Sequence, residues 1–222
     1  MDKITEIVGF IIYGALAAIA LWGVYHIVMI WSRVAQKRFR TEEDQNDFLD
    51  ALDEPLQRGD FEEAIELLEG DRRAVCQLGL LAILNRDKTY DKVEQQVVDR
   101  FQRDVLGDLE FRLSWVNTVI KSAPMVGLLG TVIGMMGAFG KLATAENVKA
   151  DALANDIMVA LITTASGLSI AIPLVLAVTM VNVRISKMED LSSAGLSRVL
   201  DSLRPHLRTK KKRPPKPAMQ GS

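Results

Sequence analysis

The chain has 222 residues, of which 49% are hydrophobic and 25% charged, with a formal net charge of -1. These averages fit a soluble globular protein, but the charges are segregated from long apolar runs, which is typical of a membrane protein. The single cysteine excludes a disulfide framework, and the low aromatic content of 6% argues against a nucleic-acid platform. Because phosphate-loop, zinc-protease and serine-hydrolase motifs are missing, we predict no enzymatic activity, no cofactor and no metal site.

Three uncharged apolar runs predict three transmembrane helices, and they are Ile7–Ser32, Ser122–Gly140 and Ile157–Val183. Each is longer than the roughly 18 residues that a spanning helix requires. The first run could belong to a cleaved signal peptide, since it contains pairs of small residues that resemble a signal-peptide cleavage site. Its acidic N-terminal tail and its length favour an uncleaved anchor instead.

Lysine and arginine near the ends of the spans predict the orientation. The basic residues Arg33, Lys37, Arg38 and Arg40 follow the first span, and Arg184 and Lys187 follow the third. We therefore expect the N-terminus outside and the C-terminus in the cytoplasm. The predicted segments are an N-terminal tail and helix (1–32), a cytoplasmic helical domain (33–112), a second span (113–140), a periplasmic loop (141–156), a third span (157–183), a cytoplasmic extension (184–204) and a disordered basic, proline-rich tail (205–222).

The cytoplasmic region is predicted to be helical throughout. Asp60 and Glu63 resemble a capping box that opens a helix closed by Gly70, and Asp71 could cap the next helix. The helical spacing from Val93 to Leu109 continues into the second span, so we expect that span to extend into the cytoplasm, and the third to extend as far as Pro205. The predicted fold is an all-α membrane protein whose second and third transmembrane helices extend into a cytoplasmic helical domain.

Polar and small residues form stripes on the second and third spans. Candidate pathway residues are Lys121 and Thr131 on the second, and Thr164 and Asn182 on the third. Candidate packing residues are Pro124, Gly127, Gly130, Gly134, Gly137, Gly167 and Pro173. Such stripes allow close helix packing, with the threonines bonded to their own helix backbone. They could equally line a polar path, because helical rise places Thr131 and Thr164 roughly 15 and 12 Å below the outer end of their spans.

Titratable side chains are missing where an ion carrier would need them. The second and third runs contain no Asp, Glu or His. A proton crossing a membrane requires such a group in the hydrocarbon region. If this chain conducts protons, the group must come from a partner or, less favourably, from His26, which we interpret as an interfacial histidine.

The segments 122–139 (SAPMVGLLGTVIGMMGAF) and 160–173 (ALITTASGLSIAIP) resemble the second-span and third-span motifs of the ExbB/TolQ/MotA proton-channel family. Three spans with an external N-terminus resemble the ExbB/TolQ branch. The resemblance implies a homopentamer around two copies of a single-span ExbD/TolR-like partner, whose membrane Asp carries the proton. It also implies that Thr131 and Thr164 are pore threonines and that ion flow drives envelope transport or force generation.

One position departs from the family pattern. ExbB and TolQ commonly carry a Glu five residues before the Thr164 position, where this chain has Val159. The choice between proton and sodium therefore stays open, and so does a non-conducting membrane scaffold that binds a partner helix.

Overall fold

The computed structural model describes residues 2–144 and 150–207, which form helices with short connections and no β-strand. The helices are α1 (Asp2–Lys37), α2 (Glu42–Arg58), α3 (Phe61–Leu68), α4 (Ala74–Leu84), α5 (Tyr90–Phe101), α6 (Gly107–Thr144) and α7 (Ala150–Leu203). A π-helical turn, Gln102–Leu106, joins α5 to α6, and a 3-10 turn, Arg204–His206, follows α7. The predicted all-α class is confirmed.

The chain divides into two compact units. The spanning unit contains residues 1–35 and 107–187, and the helical unit contains residues 36–106 and 188–222. Helices α6 and α7 are long because they continue past the apolar runs, as the sequence predicts. Helix α7 ends at Leu203 and Pro205 lies in the 3-10 turn that follows it, which agrees with the missing amide hydrogen of proline.

The spanning unit contains helices long and apolar enough to cross a membrane. Three such segments are found in the described part of the chain: Gly9–Lys37, Tyr90–Ala143 and Leu153–His206. Their outward faces expose large apolar side chains, including Phe10, Met125 and Leu176 at 59% exposure or more. Exposed apolar surface of this extent requires lipid or another protein against it. The protein is therefore a multi-pass membrane protein.

The predicted segment boundaries differ from the helix ends at two places. Helix α6 extends to Thr144 and α7 begins at Ala150, so both enter the predicted loop 141–156, whose residues 145–149 lie outside the described part. The first residues of the predicted tail 205–222 belong to the 3-10 turn, and residues 208–222 lie outside the described part.

Helix starts in the helical unit follow from local hydrogen bonds. The Asp60 carboxylate accepts a bond of 3.2 Å from the Glu63 amide at the start of α3, as the capping pattern predicts. The expectation that Asp71 caps the next helix is wrong. Asp71 accepts from the Arg73 amide at 2.9 Å instead, and α4 begins only at Ala74.

The core of the helical unit consists of one apolar stripe from each helix. Leu52 of α2, Ile83 of α4 and Val97 of α5 are fully buried. Helix α7 packs along α2, since Gln45 Nε2 donates to the Leu191 carbonyl at 2.7 Å. The stripe Val93, Val97, Phe101, Val105 and Leu109, predicted from helical spacing, is buried throughout, at 7% exposure or less.

Candidate functional site

Three threonines of the spanning unit form a hydroxyl cluster, which we define as Thr131, Thr163 and Thr164. Thr131 Oγ1 and Thr164 Oγ1 are hydrogen-bonded to each other across the contact between α6 and α7. Thr131 Oγ1 also lies 3.0 Å from the Ala160 carbonyl, and Thr164 Oγ1 lies 3.1 Å from the Gly127 carbonyl. The structure therefore brings together the two candidate pore threonines, which are 33 positions apart in the chain.

Thr163 is the member of the cluster that sequence reasoning missed. Its side chain is buried, and its Oγ1 lies 2.7 Å from the Ala160 carbonyl and 3.0 Å from the Gly127 carbonyl. The side chains of adjacent helical residues point about 100° apart, so a pattern that follows one helix face includes only one of two adjacent residues. The paired threonines at 163–164 were the available signal, because α6 approaches closely enough to contact both.

Glycines make this close approach possible. A Cβ atom added at Gly127 would lie 2.7 Å from the Thr163 carbonyl oxygen, and one at Gly130 would lie 2.6 Å from Thr163 Oγ1. At Gly167 it would lie 2.5 Å from the Ala123 carbonyl oxygen and 3.2 Å from Pro124 Cα. Four of the candidate packing glycines, at positions 127, 130, 134 and 167, thus lie at the α6–α7 contact. Small residues there let the two backbones touch.

Gly137 and Pro173 are the two packing candidates not yet placed. Gly137 lines a groove of about 390 Å³ together with Gly9 and Tyr13 of α1 and Val159 of α7. Pro173 lies inside α7 and is exposed. Neither residue contributes to the hydroxyl cluster.

Lys121 and Asn182 are exposed and are not brought to the cluster. Helical rise separates Lys121 from Thr131 by about 15 Å and Asn182 from Thr164 by about 27 Å. Within the described residues, neither side chain forms an ion pair or a hydrogen bond. These two residues lie on the stripe that the sequence predicts, but towards the end of the spans where the basic residues concentrate.

A salt bridge connects α6 and α7 at the end of the pair that lies away from Lys121 and Asn182. Lys141 Nζ lies 2.9 Å from Asp156 Oδ2, which links the end of α6 to the start of α7. Sequence reasoning treated these residues only as borders of the apolar runs. Val159, which replaces the family's Glu, is 44% exposed and lies one helical turn from Asp156.

His26 of α1 is buried in an aromatic cluster, with 6% of its surface exposed. Its ring lies 5.0 Å from the Trp22 ring, 5.3 Å from the Tyr25 ring and 6.4 Å from the Trp115 ring. Neither ring nitrogen has a hydrogen-bond partner among the described residues. The side chain is thus enclosed by protein, and its interfacial depth in the membrane stays a prediction.

A hydroxyl both donates and accepts one or more hydrogen bonds, so a contiguous row of hydroxyls can relay a proton or bind a hydrated ion. The same row can also fasten two helices together. Metal chemistry has no candidate here, since the part of the chain that the structure describes holds no group of three or more metal-ligating side chains. The hydrogen-bonding capacity of the hydroxyl cluster is therefore compatible with two roles, ion passage and helix packing.

Comparison with known proteins identifies the family. The family model described as the MotA/TolQ/ExbB proton channel family matches residues 30–193. The chain is 38% identical over 99 residues to the biopolymer transport protein ExbB of Xanthomonas campestris, covering 45% of this chain and 38% of the relative. It is 29% identical over 158 residues to a putative ExbB homolog of Methanothermobacter thermautotrophicus, covering 69% of this chain and 54% of the relative.

A third relative is a TolQ protein rather than an ExbB protein. The chain is 41% identical over 81 residues to the Tol-Pal system protein TolQ of Haemophilus influenzae, covering 36% of each protein. The chain thus spans between 36% and 54% of the length of these three relatives. Because the family model matches well over half of the chain and these relatives are ExbB and TolQ proteins, the chain belongs to the ExbB/TolQ branch of the MotA/TolQ/ExbB proton channel family.

Proposed function

We propose that this chain is the channel-forming subunit of a complex in a bacterial inner membrane that uses the proton motive force to energise envelope transport or force generation. Family membership supports the class of activity. The observation that carries the proposal is the direct hydrogen bond between Thr131 of the second span and Thr164 of the third, within two runs that contain no charged side chain. In this proposal the two hydroxyls form the polar section of the ion path, with Lys121 and Asn182 further along it.

The missing carboxylate supports a partner protein. The uncharged runs that contain the hydroxyl cluster have no Asp, Glu or His, and proton transfer through hydrocarbon requires a titratable group. In our proposal five copies of this chain surround two copies of a single-span ExbD/TolR-like protein. The membrane Asp of that partner passes the hydroxyls as it gains and loses its proton.

Contacts in the spanning unit support the proposed orientation. Arg33 pairs with Asp108 at 3.3 Å, and Arg184 lies 3.7 Å above the Trp31 ring. The C-terminal end of α1, the start of α6 and the charged part of α7 therefore share one end of the unit. Because arginine concentrates on the cytoplasmic side and tryptophan at the interface, that end faces the cytoplasm and the N-terminus faces the periplasm.

One observation favours a non-conducting scaffold as the second candidate. The cluster hydroxyls bond to main-chain carbonyls of Gly127 and Ala160, so helix packing alone satisfies them. A scaffold would bind a partner helix without ion flow, and its function would be insensitive to uncouplers and to the partner's carboxylate.

The native mass of the complex tests the proposal first. The chain would be co-expressed with any small single-span protein encoded beside it and purified in detergent for native mass spectrometry. We expect five copies of this chain and two of a partner that carries a membrane Asp. A monomer, or an assembly that has no such partner, would contradict the motor and favour the scaffold.

A further inference from the structure

Helices α2 and α3 carry a concentration of negative charge that the proposed ion path does not use. Residues 42–71 contain thirteen acidic side chains and one basic side chain, Arg58. Glu62 and Glu66 of α3 and Glu69, which directly follows the helix, have helical spacing and are exposed, opposite the buried Ala64 and Leu68. This face of α3 has no partner helix among the described residues.

Only part of this charge is neutralised by neighbouring cations. Arg198 of α7 binds both Asp50 and Asp53. Arg58 reaches Glu54 at 3.4 Å and Glu63 at 3.7 Å. The exposed carboxylates that form no ion pair with a described residue are Glu42, Glu43, Asp44, Asp47, Asp60, Glu62, Glu66 and Glu69.

The described chain ends beside this surface. The His206 ring packs edge-on against the Phe61 ring at the start of α3, with 5.3 Å between centroids. Gly59, which has the positive φ of 77° that favours glycine, lies against the same ring, because an added Cβ would be 3.3 Å from His206 Cε1. Leu207 is buried. The described part of the chain therefore ends next to the turn between α2 and α3.

The segment that follows has the opposite charge and sufficient length. Residues 208–216 contain six basic side chains and no acidic one. Nine extended residues span about 30 Å, whereas the eight-residue α3 is about 12 Å long. Because the tether is short, the effective concentration of the segment at α3 is on the order of millimolar. Several weak surface ion pairs are then enough for binding.

We propose that the basic segment 208–216 binds the acidic face formed by Glu62, Glu66 and Glu69 in its own chain. The binding is electrostatic, so it weakens as salt screens the charges. It also holds the lysines away from anionic lipid, which would otherwise attract them.

Spin-label distance measurements on the full-length chain test this proposal. Labels would be attached at Gln57→Cys on α2 and Ala218→Cys beyond the basic segment, in nanodiscs of phosphatidylcholine. Labelled chains would be diluted tenfold with unlabelled chains so that only distances within one chain are measured. The native Cys76 is fully buried and does not compete for the label.

We expect one short, narrow distance at low salt, which loses at least half of its population at high salt. The variant Glu62→Gln/Glu66→Gln/Glu69→Gln should cause the same loss. The matched variant Asp87→Asn/Glu94→Gln/Asp99→Asn removes three charges outside this surface and should leave the distance unchanged. A broad distribution at low salt, a narrow distance that survives in the α3 variant, or one that appears only with phosphatidylglycerol would each overturn the proposal.

Discussion

The two hydroxyls of Thr131 and Thr164 are the smallest part of the molecule on which the proposed ion path depends. Replacing either threonine by valine keeps the shape and removes one donor and acceptor. We expect proton flux through the assembled complex in proteoliposomes to fall about tenfold or more, because a dry methyl group interrupts the polar row. A fluorescent pH indicator inside the vesicles would measure the flux.

The chain offers two controls for this experiment. Serine at the same positions keeps the hydroxyl and should retain most of the flux. Thr163→Val removes a buried hydroxyl that bonds to the same carbonyls but not to the other two threonines, so it should reduce stability by about 1 kcal/mol while leaving flux nearly intact. Equal losses of flux in all three valine variants would favour the packing interpretation.

Burial lowers the reactivity of the Cys76 thiol. Desolvation, together with the nearby Asp71, raises the pKa of the thiol from 9.0 to about 12. The folded chain thus keeps a proton that the unfolded chain loses near pH 9, so this burial lowers the free energy of unfolding as pH rises through that interval. At pH 7.5 we expect maleimide to react about 1000-fold more slowly with native than with urea-unfolded protein, as followed by mass spectrometry. Comparable rates would show that the site is open.

At the residue scale, the sequence predicts which polar residues lie in the spans better than it predicts which residues contact one another. Thr131 and Thr164 could be found because both interrupt apolar runs at similar depth. The contacts of Thr163 and of the Lys141–Asp156 pair could not be predicted, since they depend on the crossing of α6 and α7 rather than on either helix alone. The surroundings of His26 depend on the fold in the same way, because only the structure shows which aromatic rings enclose it.

At the level of elements, the α6–α7 contact depends on glycines. Gly127→Ala and Gly167→Ala would each push a methyl group against a backbone carbonyl at 2.7 Å or less. We expect each to destabilise the protein by about 1–3 kcal/mol through overpacking, which would lower its melting temperature in detergent.

Gly14→Ala is the matched control for these variants. Gly14 lies in the middle of α1, and an added Cβ meets nothing within 4 Å. Alanine there should be neutral or stabilising by up to about 1 kcal/mol, because glycine is the poorer helix former. If Gly127→Ala and Gly167→Ala behaved like Gly14→Ala, the close packing of α6 on α7 would be refuted.

The pairing of α2 with α7 depends on Asp53. Its carboxylate accepts hydrogen bonds from Arg198 Nε and Ser202 Oγ, both at 2.7 Å, and its side chain is only 14% exposed. Asp53→Ala should therefore lower the free energy of unfolding by about 1–3 kcal/mol. Asp47→Ala on the same helix removes an exposed carboxylate without such partners and should change it by less than about 0.5 kcal/mol. Denaturant titration followed by circular dichroism would compare them.

Element types and lengths followed from the sequence because hydrophobic periodicity and proline act locally. The stripe from Val93 to Leu109 and the stop at Pro205 are examples. The residues at which helices begin were harder to predict from the sequence. The carboxylate of Asp71 bonds to an amide two residues ahead, which delays α4 until Ala74. The π-helical turn Gln102–Leu106 was not predicted, and the stripe stays buried on both sides of it.

At the scale of the whole molecule, charge segregation determines how the chain is placed in a membrane. Residues 33–112 and the segment after residue 183 hold most of the charge, and the spans hold very little. Because translocating arginine and lysine is costly, the proposed topology keeps both charged regions on one side of the membrane. The proposed topology thus depends on the distribution of basic residues rather than on any single contact.

Cysteine accessibility tests this topology directly. Ala143→Cys, exposed near the end of α6, should react with a membrane-impermeant maleimide in cells whose outer membrane alone is permeabilised. Gln57→Cys, exposed on α2, should react only after the inner membrane is also opened. Because Cys76 is fully buried, the unmodified chain provides the background. The reverse labelling pattern would invert the proposed orientation, and the partner's load would then have to lie on the side of the helical unit.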